Sequence, residues 1–201
     1  VVVDESFIDF AGLGAIPSVA REAAERANII VLKSLGKNFG LHGVRLGYAV
    51  AQPGLAAVIR KALPHWNVNG VAEAVIRSLA ANMSEYECSR GRVIRDRQLL
   101  EDALRGLKGL CVFPSRANFV YVRVADGIDG VALRNRLLTE HGCFVRECGN
   151  KLGSDHRYLR IAARPKDAIP PLIEALRECL EVKSRASSAT HHDSLSRSSF
   201  A

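Results

Sequence analysis

Residues 29–51 read Ile29-Ile30-Val31-Leu32-Lys33-Ser34-Leu35-Gly36-Lys37-Asn38-Phe39-Gly40-Leu41-His42-Gly43-Val44-Arg45-Leu46-Gly47-Tyr48-Ala49-Val50-Ala51. Two short apolar runs of strand length, Ile29–Ser34 and Gly47–Ala51, enclose a glycine-rich segment that suits a turn rather than a long helix. Upstream, Val1-Val2-Val3-Asp4 reads as a third strand, buried on both faces of a parallel sheet, and a short helix is expected near Pro17–Arg26. Strands alternating with helical text predict an α/β arrangement.

The polar residues of this region sit where strands end. Asp4 closes the first strand, Ser34 and Lys37 follow the second, and Arg45 precedes the third. In open α/β sheets the carboxyl ends of strands face the ligand crevice. An acid, a hydroxyl, a lysine and an arginine gathered there suit an anionic heteroaromatic cofactor. Pyridoxal 5'-phosphate needs that set: an amine for its aldehyde, a carboxylate for its ring nitrogen, and donors for its phosphate. Taken singly, a lysine in a glycine-rich loop is a solvated charge and a strand-end aspartate a turn cap; the four together favour the cofactor. Gly36, Gly40 and Gly43 match neither a P-loop nor a dinucleotide fingerprint.

Downstream, Asn69 is placed to cap a helical stretch running, with a break, to Leu107. Val71, Val75, Leu79 and Met83 predict its buried face, and Leu99, Leu100, Ala103, Leu104 and Leu107 continue the stripe. After Gly109 the pattern turns α+β. Strands are expected at Cys111–Phe113, Phe119–Val124, Cys143–Arg146 and Tyr158–Ala163, and helices at Gly130–His141 and Ala168–Leu180. The expected organisation is a first piece over 1–68, a connecting helix and small domain over 69–182, and a serine-rich disordered tail over 183–201. Arg146 and Arg160 fall on short strands, and a planar guanidinium suits carboxylate and phosphate. Asn118 is open between a structural and a substrate-facing role, and Arg157 is read as solvent-facing.

The text resembles the fold-type-I pyridoxal-phosphate enzymes of the class I/II aminotransferase family, from residue 1 to about 181. The likeness rests on Asp4-Glu5-Ser6-Phe7-Ile8-Asp9-Phe10, on Ser34-Leu35-Gly36-Lys37 followed by Arg45-Leu46-Gly47-Tyr48, and on Pro64-His65-Trp66-Asn67-Val68-Asn69. Ser115-Arg116-Ala117-Asn118-Phe119, Arg146-Glu147-Cys148-Gly149-Asn150 and Arg157-Tyr158-Leu159-Arg160 extend it. The resemblance implies the C-terminal part of a large domain with a mainly parallel sheet, then a smaller α+β domain, in a homodimeric parent. It implies that Lys37 bonds the cofactor, Asp4 pairs with its ring nitrogen, and Ser34 and Arg45 bind its phosphate. Arg146, Arg160 and Asn118 then face a small phosphorylated amino-acid substrate.

Two branches resemble the chain most, the threonine-phosphate decarboxylases of cobalamin biosynthesis and the histidinol-phosphate aminotransferases. Many aminotransferases of this fold carry Tyr where this chain has Phe7, which cannot donate a hydrogen bond to the cofactor; the decarboxylase branch also has Phe. The expected reaction is therefore decarboxylation of threonine phosphate to aminopropanol phosphate, by a lyase. A histidinol-phosphate-type aminotransferase is the alternative. A further alternative is an inactive fragment or dimerisation remnant, because the family's upstream phosphate loop, ring-stacking aromatic and asparagine are not in this chain.

Composition bounds these readings. The 201 residues are 48% hydrophobic and 24% charged, an ordinary globular balance. No apolar run approaches the ~20 residues that span a bilayer, so no membrane partner is expected. The net charge of +7 is spread without a basic block, and Lys183, Arg185 and Arg197 place part of it in the tail; no nucleic-acid partner is expected. Five cysteines, an odd number, suit a reducing cytoplasm. No metal site is expected: Cys143 and Cys148 lack zinc spacing, and Cys88 and Cys179 read as small buried hydrophobes.

Overall fold

The computed structural model describes residues 1–12 and 14–192, with side chains described as far as Glu181. The chain forms two compact units, Val1–Ile94 and Arg95–Ala201.

In the first unit, β1 (Val2–Asp4), β2 (Ile30–Ser34) and β3 (Gly47–Val50) form a sheet in that order. β1 pairs parallel with β2, Asp4 lying opposite Leu32, whereas β3 runs antiparallel to β2. The expected parallel arrangement thus holds for one of the two pairings. The turn between β2 and β3 is short enough to return the chain directly, which a parallel crossover cannot do. Val1 and Val2 are 82% and 62% exposed, so β1 is an edge strand here rather than one buried on both faces. α1 (Ala20–Glu25) matches the expected short helix, its approach held by the buried Glu5 carboxylate, which accepts from Ser18 Oγ at 2.7 Å and Val19 N at 2.8 Å. α2 (Leu35–Asn38) is a single turn. α3 (Pro53–Ala62), not foreseen, starts with Pro53 in its first turn and the Gln52 side chain accepting from Gly54 N and Leu55 N.

The predicted long helix is α4 (Gly70–Leu79), a tight turn at Ala80–Asn82, and α5 (Met83–Arg105). Asn69 caps it, Oδ1 accepting from Ala72 N at 2.8 Å. The expected buried stripe is corrected: Val71 and Met83 are exposed, Val75 and Leu79 half-buried, and Ala72 is the buried residue of α4. The units divide at Ile94, within the connecting helix and later than the end of the expected first piece at residue 68. The cause lies in Tyr86 of α5, whose ring packs on Phe39 at 4.4 Å and whose hydroxyl donates to Asp9 Oδ2 at 3.2 Å. Trp66 is 96% exposed and holds a left-handed φ of 57°.

The second unit is α+β. β4 (Leu110–Phe113), β5 (Phe119–Val124), β6 (Arg146–Glu147) and β7 (Tyr158–Ala162) form an antiparallel sheet in the order β4-β5-β7-β6. Strand alternation sends Val120, Val122, Val124, Leu159 and Ile161 into one core. There they meet Leu100 and Leu104 of α5, Leu133 and Leu137 of α6 (Gly130–His141), and Leu172 and Leu176 of α7 (Ile169–His192). α6 has the predicted bounds, set by the Asp129 cap and by Gly142 at φ 65°, a left-handed stop that glycine adopts without a Cβ clash. β6 starts three residues later than read. The backbone continues as α7 to His192, into the stretch expected as a disordered tail; the rest of that stretch, 193–201, lies outside the described residues. Cys179 is buried as expected, but Cys88 is exposed. Among the described residues no helix is long and apolar enough to cross a membrane.

Candidate functional site

The strand ends of the first unit bring the four predicted residues to one edge of the sheet. Asp4 ends β1 and Ser34 ends β2, and Ser6 links them. Its N–H donates to Asp4 Oδ1 at 2.9 Å, while its Oγ accepts from Ser34 N at 3.0 Å. Ser34 lies opposite Gly47 in the β2–β3 register, and Leu35 N donates to Leu46 O at 3.0 Å, so Arg45 arrives beside the same end. A Cβ on Gly47 would meet Lys33 O at 2.8 Å; only a glycine lets the two strands close there. Arg45 is an exposed non-glycine residue in the left-handed region, φ 58° and ψ 49°. Such strain collects at ligand sites.

Charge is organised around Asp4. The Ser6 hydroxyl and N–H, with the Lys37 charge behind them, hold its carboxyl below the ordinary carboxylate range against a small burial effect. Lys37 Nζ lies 4.7 Å from the centre of the Phe7 ring, a cation on an aromatic face. Among the described residues Lys37 and Arg45 form no ion pair, and Ser34 makes no side-chain capping bond to α2. Neighbouring Asp9, by contrast, is fully engaged by Lys33, Asn38 and Tyr86.

The second unit places Arg146 and Arg160 on the sheet face away from its core. Arg146 lies directly opposite Arg160 in the β6–β7 register, and Tyr121 opposite Arg160 in the β5–β7 register. The Arg160 guanidinium rests 4.8 Å from the Phe119 ring centre. Both guanidinium charges act on Cys148, although burial dominates and pushes that thiol up. Phe113, Tyr121 and Tyr158 stack beside the pair, and the Tyr121 and Ser154 hydroxyls are 2.5 Å apart. Asn118 is half-buried at the start of β5, its carbonyl accepting from Ala163 N at 2.9 Å. Arg157 is corrected from solvent-facing: it binds Asp155 and Asp126, and it draws the Asp155 carboxyl down to about 2.

The sequence reading missed Ser6 and Asp9, whose partners lie up to 77 residues away. It also foresaw no metal-ligating cluster, whereas Glu140, His141 and Cys179 bring ligand atoms within 4.8 Å of one another. Both Glu140 oxygens already accept from Arg136, at 3.0 Å each, and burial pushes the Cys179 thiol up. That cluster is an ion pair against a buried thiol.

Compared with known proteins, residues 1–176 match the family described as aminotransferase class I and II. The chain belongs to that family. Within it, the chain is 33% identical to the L-serine phosphate decarboxylase of Sulfurospirillum multivorans, over 90% of this chain and 47% of that protein. Its fold is similar to that of L-threonine-O-3-phosphate decarboxylase from Porphyromonas gingivalis, with a TM-score of 0.80 at 25% identity, covering 90% of this chain and 55% of that one. It is also similar to histidinol-phosphate aminotransferase from Sinorhizobium meliloti in complex with pyridoxal-5'-phosphate, with a TM-score of 0.78 at 27% identity, covering 90% and 48%. The chain spans about half the length of these relatives. The family's cofactor is pyridoxal 5'-phosphate, and the first unit's donor set fits it: an ionised carboxylate, an amine without an ion pair, a hydroxyl and a guanidinium.

Proposed function

We propose that the protein is a pyridoxal-phosphate-dependent decarboxylase of small O-phosphorylated hydroxy-amino acids, with threonine phosphate the first substrate to test. The observation that carries this reading is the register of Arg146 against Arg160. Like charges directly opposite on a sheet repel. A ligand with a carboxylate and a phosphate turns that repulsion into two charge-assisted, bidentate contacts. Phe7, unable to donate a hydrogen bond, supports decarboxylation over amine transfer. A homodimeric parent in the cytoplasm belongs to the same reading.

Each unit has its own part. Asp4, kept ionised by Ser6, holds positive charge at the ring nitrogen, and Ser34 and Arg45 hold the cofactor phosphate. Bound pyridoxal phosphate supplies an electron-poor ring that accepts the electron pair left when a bond at the substrate Cα breaks. Lys37 Nζ would hold the cofactor at its aldehyde and would move a proton at the substrate Cα. Arg146 and Arg160 would grip the anionic groups of the substrate, and Asn118 directly precedes β5.

The test supplies the protein at its full natural length with cofactor and, separately, threonine phosphate, serine phosphate and histidinol phosphate, following CO2 release and keto-acid-dependent amine transfer. CO2 from a phosphorylated hydroxy-amino acid is expected. Arg160→Ala is expected to cost on the order of 2–5 kcal/mol in transition-state binding, the penalty for stripping a sheltered anion of its partner. Amine transfer from histidinol phosphate without CO2 from either phospho-amino acid would overturn the decarboxylase and establish the aminotransferase.

A further inference from the structure

Two lysines four residues apart flank the turn from β2 into α2, and they stand in opposite surroundings. Lys33 Nζ lies 2.8 Å from Asp9 Oδ1, with 17% of its side chain exposed. Asp9 Oδ2 accepts from Asn38 Nδ2 at 2.5 Å and from the Tyr86 hydroxyl at 3.2 Å. One carboxylate thus binds the residue before Ser34 and the residue after Lys37, clamping the turn from both sides. Asn38 is 7% exposed, and its Oδ1 is buried without a partner, a cost the amide bears while its nitrogen serves Asp9. Burial and the Asp9 charge push the Tyr86 phenol up to about 12, as an ionised carboxylate alongside requires. Lys37, by contrast, has its Nζ over the Phe7 ring, its charge acts on Asp4, and among the described residues it forms no ion pair.

We propose that Asp9 is a positioning residue that ties Lys33 out of reaction and leaves Lys37 as the reactive amine of this segment. The inference deepens the cofactor assignment of Lys37 and rests on it for its biological meaning, but the selection itself is a property of the chain. To condense with an aldehyde, a lysine gives one proton to solvent, its nitrogen attacks the carbonyl carbon, and water leaves as the C=N bond forms. Borohydride then delivers hydride to that carbon and fixes the adduct. Lys33 must first leave Asp9 and open the clamp; Lys37 has no ion pair to break among the described residues.

The experiment acetylates the chain with a trace of N-hydroxysuccinimide acetate and maps Lys33 and Lys37 by mass spectrometry, in native buffer and in urea. Lys37 is expected to react about tenfold faster than Lys33 in the folded chain, the factor carried by one charge-assisted hydrogen bond, with the ratio near one in urea. Asp9→Asn is expected to bring the native ratio towards one, and Asp9→Glu to restore it. Equal native rates in the wild-type chain, or an unchanged ratio in folded Asp9→Asn, would overturn the proposal. The wild-type comparison decides even where the variant does not fold. A parallel arm with pyridoxal phosphate and borohydride, run on the protein at its full natural length, separates the two readings: no adduct on either lysine beside an intact acetylation ratio would break the cofactor assignment and leave the selection by Asp9 standing.

Discussion

In the unit Arg95–Ala201 the fully buried side chains are Leu100, Leu104, Leu137, Leu159, Ile161, Leu172 and Leu176, with four valines among them. In Val1–Ile94, among the described residues, Val31 is the large apolar side chain buried to that degree, and Glu5, Ser6 and Asn38 are buried beside it. The second unit therefore has its shape from hydrocarbon packed between one sheet face and three helices, a non-directional force that tolerates volume-conserving exchange. The first has its shape from directional bonds: Glu5 to Ser18 and Val19, Ser6 to Asp4 and Ser34, and Asp9 to Lys33, Asn38 and Tyr86. Directional bonds fix atoms at set distances, which a cofactor cradle needs. The anion capture proposed for Arg146 and Arg160 needs only a rigid sheet to stand on.

The comparison breaks most readily at the core. Leu137→Ala is expected to cost about 2–5 kcal/mol, because three packed helices and a sheet cannot collapse into the void, whereas Val58→Ala on the exposed face of α3 stays within about 0.5 kcal/mol. Urea unfolding followed by circular dichroism reads both, and equal losses would erase the contrast. A smaller effect comes from the cap of α4: Asn69→Ala is expected to lose about 1 kcal/mol, and Asn69→Asp to retain most of it, by the same measurement. The smallest is confined to alkaline solution. The Tyr86 phenol holds its proton up to about 12 in the fold against 10.0 in an unfolded chain, so its share of stability is whole below pH 10 and disappears as pH rises through 12. Ultraviolet titration should show the Tyr86 phenol ionising late, and Asp9→Asn should bring it earlier. A titration unchanged by Asp9→Asn would remove the Asp9 charge from the first unit's account.

Much of the architecture is legible before folding wherever local chemistry decides it. Asp129 and Gly142 bracket α6, Asn69 announces α4, and the alternation of Phe119–Val124 assigns both faces of β5. The strand-end positions of Asp4, Ser34, Lys37 and Arg45 are legible for the same reason. What depends on partners distant in sequence is not. The direction of β3, the exposure of Val71 and the Asp9–Tyr86 bond are fixed by tertiary neighbours that a periodicity cannot name. Arg146 and Arg160 show as a spacing in the sequence; the shift of β6 to Arg146–Glu147 is what sets them face to face.

Trp66 is the chain's single tryptophan, and it stands 96% in water. Its indole is expected to emit as a solvated ring, so unfolding should change its wavelength little, and the stacked Tyr121 and Tyr158 together with backbone dichroism should report the fold better. The same exposure makes the indole a probe of contact. Any surface that settles over the Pro64–Asn69 loop excludes water from it and is expected to shift its emission to the blue, an optical signal of contact.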